Sequence, residues 1–462
     1  MPGAPPYAPR DAASTVTYQV VQRHLSTFCE RVDAGGAGAG PPGFVIEELR
    51  AFLRCGIPAH GFIRVQCAAC SEPRIVPFSC KGRGICPSCA GRRMAQTSAD
   101  LVDHVLPRRV PYRQWVLSLP FELRYLIAFD AGACTTVLTA VQHAITAFYV
   151  RAARADGVTA RCRTGSATVI QRFGDGLRLN PHFHLLVCDG VFHRACGGGR
   201  LRFHRTRAPS HDELDDIIKT ISAAVARRLR RDAAEPNWSA PAGRPRAACR
   251  WRPAPVTRRS TRRRLRQILC VRRDGFDLHA NVTVAAHDRA ALQRLARYLL
   301  RPAVPESRLR LLDDGRVELE LRSAWTDGTT HLIFEPLDLI ARLCQLVPPP
   351  GCNLVRYHGV LAPNAAWRRE LTPGRGCGPR SRRSRARCGR YRPWAQLLKR
   401  TFRIEALVCP SCGGAMRILA VIEQPTVVEA ILASIGLPAA PPPIHPARGP
   451  PQLDLYVIDE AA

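Results

Sequence analysis

Two pairs of closely spaced cysteines place the strongest constraint on how this chain can fold. Two residues separate Cys67 from Cys70 and Cys86 from Cys89, and 15 residues lie between the pairs. Each pair can place two thiolates on one metal ion, and two pairs complete the tetrahedral four-sulfur set that zinc prefers. The first residues lack the apolar core of a signal peptide, so a disulfide framework is not expected from the 19 cysteines. The sequence therefore predicts a small zinc-ribbon-like domain over residues 46–100.

Other cysteines leave further ligand sets open. Cys55 and Cys80 lie close to the first two pairs, so they are candidates for spare or alternative ligands, or for ligands of a second zinc ion with His60. A third pair, Cys409 and Cys412, supplies half of a zinc site near the carboxyl terminus. The sequence does not assign the remaining ligands of this site. Two upstream cysteines are candidates for that role: Cys377 and Cys388.

The charge of the chain predicts a polyanionic partner. Its 462 residues carry a formal net charge of +31, and arginine supplies nearly all of the positive side chains. A balance this basic is typical of nucleic-acid-binding proteins, and two arginine-rich stretches, 258–266 and 380–392, are candidate DNA contacts or solvated loops. No run approaches the roughly 20 apolar residues that a membrane-spanning helix needs. We therefore expect a cytoplasmic protein that binds nucleic acid and no membrane.

Two histidines flank one phenylalanine in the stretch LNPHFHLLVCDGVF, residues 179–192. Residues i and i+2 of a strand point to the same face, so His182 and His184 present both imidazoles together. The segment 166–173, joined to the histidine strand by a Gly-Asp-Gly turn, predicts a hairpin that brings Gln171 near the pair. Two imidazoles and an amide with open positions suit Mg²⁺ or Mn²⁺ holding a phosphate oxygen. The pattern alone also fits an ordinary pair of surface histidines.

A helix is predicted further along the chain, over residues 287–302, with Asp288 as its N-cap and Pro302 as its stop. It carries Tyr298, whose spacing from the neighbouring leucines also fits an ordinary core aromatic. His279, in the strand pattern before this helix, fits an ordinary strand histidine better than a metal ligand. On residue pattern alone, neither side chain receives a chemical role.

Five blocks of sequence, in one order from about residue 46 to about residue 425, carry a resemblance to a known family. They are the cysteine block ending in RRM, VPYRQWVLSLP, IQRFGDGLRLNPHFH, LARYLLRP and NLVRYHGVLAPNAAWR. With these blocks the chain resembles an IS91-type insertion-sequence transposase, a rolling-circle enzyme with a histidine–hydrophobic–histidine (HUH) motif and an amino-terminal zinc domain. The resemblance implies an α+β fold: an HUH-nuclease-like central antiparallel sheet flanked by helices, preceded by the zinc-ribbon-like domain.

The same resemblance implies a role for each candidate residue. His182, His184 and Gln171 would hold the catalytic Mg²⁺ or Mn²⁺, and Zn²⁺ would be structural. Tyr298 would attack single-stranded DNA at the ends of the element, leaving a 5′-phosphotyrosine and a free 3′-hydroxyl. Some family members use two tyrosines one helical turn apart, whereas this helix carries one. Tyr357 is therefore the candidate second or rival nucleophile.

Partners follow from the resemblance, and a domain order follows from the composition along the chain together with the resemblance. The partner is single-stranded or hairpin DNA at transposon ends and the target DNA. Because the sequence contains no GxxxxGK[ST] phosphate-binding stretch, any helicase would be a host protein. The expected order is a leader and helix at 1–45, the zinc-binding domain at 46–100, the catalytic domain at 101–372, a basic linker at 373–393 and a carboxyl-terminal module at 394–462.

Two other functions are open at this point. A plasmid relaxase or replication initiator of the HUH class uses the same metal-and-tyrosine chemistry but acts at a plasmid origin. A non-catalytic zinc-dependent DNA-binding protein would keep the zinc and the charge, and would give the histidine pair and Tyr298 no chemical work. Metal-dependent nicking at transposon ends is the property that separates the three functions.

Overall fold

The computed structural model describes six stretches of the chain: 10–34, 40–194, 199–234, 269–372, 394–402 and 405–448. Several sequence predictions lie outside the described residues: the start of the leader, the basic stretches 258–266 and 380–392, the linker 373–393, Cys377 and Cys388. Within the described residues the chain combines helices with antiparallel strands.

The strands and helices follow one another along the whole described chain. The strands are β1 (Phe62–Cys67), β2 (Pro73–Pro77), β3 (Tyr112–Ser118), β4 (Cys162–Arg163), β5 (Gly165–Phe173), β6 (Leu179–Cys188), β7 (Gly190–His193), β8 (Arg202–Arg205), β9 (Cys270–Arg273), β10 (Phe276–His279), β11 (Thr283–Val284), β12 (Leu309–Leu311), β13 (Val317–Glu320), β14 (His331–Phe334), β15 (Val355–Gly359) and β16 (Met416–Ile422). The helices are α1 (Val16–Ala34), α2 (Gly43–Arg54), α3 (Pro87–Asp100), α4 (Phe121–Phe129), α5 (Ala131–Ala155), α6 (His211–Ala234), α7 (Arg289–Leu299), α8 (Pro336–Leu346), α9 (Arg368–Leu371), α10 (Trp394–Phe402) and α11 (Pro425–Ser434).

The largest sheet has the strand order β15-β5-β6-β3-β10-β9. The seventh strand, β11, also pairs with β3. Every neighbouring pair in it is antiparallel. β6 therefore lies inside the sheet, between β5 and β3, and its backbone is hydrogen-bonded on both sides. The prediction of a mixed α+β fold with antiparallel sheets and flanking helices is confirmed. Two smaller sheets, β4-β7-β8 and β12-β13-β14, lie outside the central one.

The two faces of the central sheet carry different layers. Phe183 and Leu185 of β6 point to one face, where they share a core with the buried sides of α5 and α6. Because side chains alternate along a strand, the residues between them point to the opposite face. There, Leu186 packs in a second core with Leu292 and Leu299 of α7. Helix α7 thus covers the face to which the even-numbered residues of β6 point.

Among the described residues, α5 is a helix long and apolar enough to cross a membrane by length and composition alone. Of its most apolar window, 56% is buried inside the protein. Val137, Val141 and Phe148 of α5 belong to the core beneath the central sheet. The amphipathic burial is that of a core helix of a globular protein. The absence of a membrane partner stays a prediction.

The amino-terminal and carboxyl-terminal parts of the chain share a sheet. β1 lies between β2 and β16 in a three-stranded antiparallel arrangement, with Cys67 of β1 opposite Met416 of β16. Helix α11 packs on this sheet over the fully buried ring of Phe62. The zinc-binding segment and the carboxyl-terminal module, which the sequence placed in separate domains, are therefore joined by backbone hydrogen bonds. The five-domain division itself stays a prediction.

Candidate metal and nucleophile site

The histidine pair lies on β6, on the face of the sheet that α7 covers. The two ring centroids are 4.8 Å apart, as expected for neighbours on one face of a strand. Gln171 of β5 lies directly opposite His182 in the hairpin register, so its side chain points to the same face. The structure therefore brings together the three residues that the sequence singled out as ligands of the catalytic ion.

The hydrogen bonds of these side chains leave acceptor atoms open. Nδ1 of His182 lies 2.7 Å from the carbonyl oxygen of Asn180, to which it donates, so its Nε2 carries the lone pair. The Gln171 amide nitrogen donates to the carbonyl of Leu299 at 2.7 Å. Nε2 of His184 and Oε1 of Gln171 are buried, and neither has a hydrogen-bond partner among the described residues. Buried acceptors without partners are costly, and a bound cation would satisfy them.

The surroundings of the pair keep both imidazoles neutral. Burial lowers the pKa of His182 below its usual value, and burial, followed by the neighbouring His182 and Arg301, lowers the pKa of His184 well below it. A lowered pKa means that the uncharged, metal-binding form of each ring predominates at neutral pH. The amide nitrogen of Gln114 lies 3.0 Å from Nδ1 of His184. A glutamine amide can turn its oxygen toward an Nδ1–H, which directs the Nε2 lone pair outward.

Tyr298 lies next to the same site, on the last turn of α7. Its neighbour Leu299 supplies the carbonyl that accepts the hydrogen bond from Gln171, so the helix end and the ligand group are connected directly. The side chain of Tyr298 is 41% exposed, which is inconsistent with the core role that its spacing also allowed. The guanidinium groups of Arg301 and Arg322 lie 4.5 Å and 5.4 Å from its ring centre. Sequence reasoning missed both arginines, although Arg301 follows Tyr298 by about one helical turn.

Tyr357 and His279, the two other candidate residues, lie farther from the histidine pair. Tyr357 of β15 is opposite Ala167 of β5, four residues along the strand from Gln171, or about 13 Å at the usual strand rise. Its ring contacts the guanidinium group of Arg368, 5.5 Å away. His279 of β10 shares a row with His184 but lies two strands away, at about 10 Å by the usual strand spacing. Neither side chain is placed to complete the ligand group.

The cysteines form two groups, and the division differs from the predicted one. Cys86 and Cys89 join Cys55 and Cys80, with the four Sγ atoms within 4.8 Å of one another. Cys80 Sγ lies 3.5 Å from Cys89 Sγ, and Cys55 Sγ lies 3.6 Å from Cys86 Sγ. A tetrahedral zinc site with bonds of about 2.3 Å has sulfur atoms about 3.8 Å apart, so these distances fit zinc. His60, the other residue considered for a second ion, belongs to neither group among the described residues.

The second group combines distant parts of the chain. Cys67 and Cys70 lie with Cys409 and Cys412, again with all four Sγ atoms within 4.8 Å. Cys67 Sγ is 3.5 Å from Cys412 Sγ, and Cys70 Sγ is 3.7 Å from Cys409 Sγ. Hydrogen bonds from the backbone N–H groups of Cys70 and then Ala69 lower the pKa of the Cys67 thiol to about 6, which favours the metal-binding thiolate.

The prediction that Cys67, Cys70, Cys86 and Cys89 make one four-sulfur site is therefore wrong in its grouping. The physical reason is that the antiparallel pairing of β1 with β16 brings a distant cysteine pair to the end of β1. The pair at the start of α3 is instead completed by two single cysteines, which no spacing rule links to it.

Two family models match the chain. The model described as "Transposase zinc-binding domain" matches residues 20–119, and the model described as "Putative transposase" matches residues 165–369. No curated protein and no solved structure matches the chain. Together with these matches, the two zinc-fitting cysteine groups and the histidine pair of the central sheet define a transposase with an amino-terminal zinc-binding domain. The chain belongs to the IS91 type of insertion-sequence transposases.

Proposed function

We propose that the protein is an HUH single-strand DNA endonuclease and strand transferase that moves its insertion sequence by rolling-circle transposition. The observation that carries the proposal is the pair of partnerless buried acceptors, Nε2 of His184 and Oε1 of Gln171, beside the end of the helix that bears Tyr298. Three acceptors in a buried setting next to an accessible phenol suit metal-assisted attack on a phosphodiester.

Each residue then has a defined task. His182, His184 and Gln171 would hold Mg²⁺ or Mn²⁺, which when bound polarises the scissile phosphate. The phenolic oxygen of Tyr298 attacks the phosphorus atom. The new O–P bond forms as the P–O3′ bond breaks, the phenolic proton passes to water, and the departing 3′ oxygen gains a proton. The products are a 5′-phosphotyrosine and a 3′-hydroxyl, and one phosphodiester replaces another, so rejoining needs no ATP.

Arginines around Tyr298 would bind the strand being cut. Arg301 and Arg322 lie beside the phenol ring, where their N–H groups can bind the phosphate under attack. Phe121 begins α4, three residues after the position opposite His182, and its ring is 75% exposed with Arg124 5.7 Å away. An exposed aromatic ring beside arginines suits stacking of an unpaired base. These features favour single-stranded or hairpin ends over duplex DNA.

The cellular setting belongs to the same proposal. The protein would act on DNA in the bacterial cytoplasm, at the nucleoid, and a host helicase would separate the strands. The strand length and hairpin structure of the ends would then decide where the phenol gains access to a phosphate. A plasmid relaxase or replication initiator would use the same residues at a plasmid origin, so the choice of substrate distinguishes the two.

The test is covalent capture of DNA. Purified protein is incubated with Mn²⁺ and 5′-labelled or 3′-labelled single-stranded oligonucleotides spanning each end of its own element, and adducts are separated on a denaturing gel. The wild type is expected to retain the label of the fragment 3′ of the cut. Tyr298→Phe and His184→Ala are expected to form no adduct, whereas Tyr357→Phe forms it normally.

Three outcomes oppose the proposal. An adduct that survives Tyr298→Phe and is lost in Tyr357→Phe moves the nucleophile to Tyr357. Cleavage of a plasmid origin in preference to element ends favours the relaxase or initiator. Tight DNA binding by the wild type with no adduct under any metal favours a non-catalytic zinc-dependent DNA-binding protein. Zinc content of each variant serves as the check on folding.

A further inference from the structure

The carboxyl-terminal part of the chain crosses to the amino-terminal part at three places. Helix α10 packs on α3 through the buried side chain of Leu397. Strand β16 extends the sheet of β1 and β2. Beyond α11, the backbone at His445 and Arg448 is hydrogen-bonded to α1 through the Gln22 carbonyl and the Thr27 hydroxyl. The described residues of this segment, 394–402 and 405–448, therefore pack as part of the amino-terminal structure.

The second cysteine group is built like a metal site on both sides of this junction. Each half is a tight turn: the N–H of Ser71 donates to the carbonyl of Cys67, and the N–H of Gly413 donates to the carbonyl of Cys409. Gly414 lies directly against this cysteine group. A Cβ placed on Gly414 would lie 2.9 Å from Cys67 Sγ and 3.2 Å from Cys412 Sγ, which a side chain cannot occupy without displacing them.

The ligands of this group lie far apart in sequence. Cys409 follows Cys70 by 339 positions, and neither Cys409 nor Cys412 lies within the residues 20–119 that the zinc-binding family model matches. A metal ion here would add a cross-link between two segments that are otherwise joined through β16, α10 and the hydrogen bonds of His445 and Arg448. The loop it closes includes the whole central sheet, and closing a long loop stabilises most through the unfolded state.

A second connection runs from the same segment to the helix of Tyr298. Arg400 of α10 donates to Asp103, just after α3, at 3.0 Å, and to Gln293 of α7 at 2.8 Å. A hydrogen bond also runs from α7 to α10: Arg297, the residue before Tyr298, donates to the carbonyl of Thr401 at 3.0 Å. Helix α10 thus bridges the zinc-binding side of the protein and α7.

We propose that Cys67, Cys70, Cys409 and Cys412 bind a second zinc ion that fastens the carboxyl-terminal segment across the protein, so that α10 holds α7 and positions Tyr298. Arg400 is the positioning residue of this arrangement. The zinc site stands independently of the reaction, whereas the effect on Tyr298 rests on the proposed function. The two parts therefore need separate measurements.

The zinc site is tested by metal content and hydrogen exchange. Wild type is expected to hold about two zinc ions per chain, and the double variant Cys409→Ser/Cys412→Ser about one. The control Cys162→Ser changes a half-buried cysteine outside both groups and is expected to keep both ions. Backbone amides of α10 and β16 are expected to exchange faster in the double variant, with α3 less affected. Two ions retained by the double variant, or one ion in the wild type, would overturn the site.

The positioning role is tested with Arg400→Ala, which keeps the eight cysteines of the two groups. This variant is expected to retain both zinc ions and its affinity for single-stranded oligonucleotide. Amide exchange in α7 is expected to be faster, and adduct formation at saturating DNA to be slower by about 10- to 100-fold. Lys399→Ala is the matched control, because that lysine is largely exposed and pairs with Glu405. Equal rates in Arg400→Ala and Lys399→Ala would refute positioning. If the wild type forms no adduct, the proposed function fails, while the metal and exchange results still decide the zinc site.

Discussion

His184 and Gln171 each have one polar atom in a hydrogen bond and one buried without a partner among the described residues. Such atoms are retained in a core only where something else satisfies them, and a cation does so for nitrogen and oxygen acceptors alike. The amide of Gln114 contacts Nδ1 of His184, which leaves Nε2 as the nitrogen available to an ion. The metal affinity of the site should therefore depend on a residue that does not touch the ion.

Replacing Gln114 by methionine tests this dependence. The variant keeps the volume of the side chain but removes the hydrogen bond to Nδ1, and loss of such an outer contact typically weakens metal binding by about 10- to 100-fold. Titration calorimetry with Mn²⁺, on protein with its zinc sites filled, measures the change. The control Thr168→Val removes a buried hydrogen bond on the other face of the sheet and should leave Mn²⁺ affinity unchanged. Equal losses in both variants would mean that general destabilisation is responsible.

At the scale of elements, local patterns were good guides. The histidine strand predicted within 179–192 and the helix predicted over 287–302 appear as β6 and α7, with helix ends shifted by two or three residues, because alternation and capping are properties of consecutive residues. Asp288 caps α7 as predicted, accepting from the N–H of Ala291. The cysteine grouping could not be predicted in this way. It depends on the register of β1 against β16, and the partners lie more than 300 residues apart.

The burial of helix α5 also depends on packing between distant parts of the chain. The helix offers a matched pair of variants that tests this burial. Val141 is fully buried under the sheet, whereas His143 lies on the exposed side of the helix. Val141→Asp should bury an unpaired carboxylate at a cost of several kcal/mol and remove most folded protein from the soluble fraction. His143→Asp should be tolerated, with a melting temperature close to that of the wild type. Comparable damage from both substitutions would indicate that the whole circumference of α5 is in an apolar environment, as in a membrane.

At the scale of the whole molecule, three structural connections converge on one end of the central sheet. The hairpin of β5 and β6 presents the ligands, α7 brings Tyr298 to them through Leu299, and α10 connects α7 to α3. The exposed ring of Phe121 and the charge of Arg124 lie at the same end. Since the chain as a whole carries a net charge of +31, DNA attraction is general, and the site must add the preference for an unpaired strand.

The salt dependence of binding separates these two contributions. If about six phosphates of a single strand are neutralised, affinity should fall about 300-fold between about 50 mM and about 200 mM salt. Arg124→Gln should make the logarithmic slope shallower by about 0.7, because one phosphate contact is lost. Phe121→Ala should instead weaken binding about tenfold at every salt concentration with the slope unchanged, because stacking releases no counterions.

Fluorescence anisotropy with a single-stranded oligonucleotide and its duplex, over that salt range, provides both quantities. The Phe121→Ala loss should appear with the single strand and not with the duplex, whose bases are already stacked on one another. A loss of the same size on both would mean that Phe121 contacts the sugar-phosphate backbone and that the end of the sheet has no preference for unpaired bases. Strand selection would then have to come from the cysteine-bearing side of the protein, which Cys409→Ser/Cys412→Ser would reveal in the same assay.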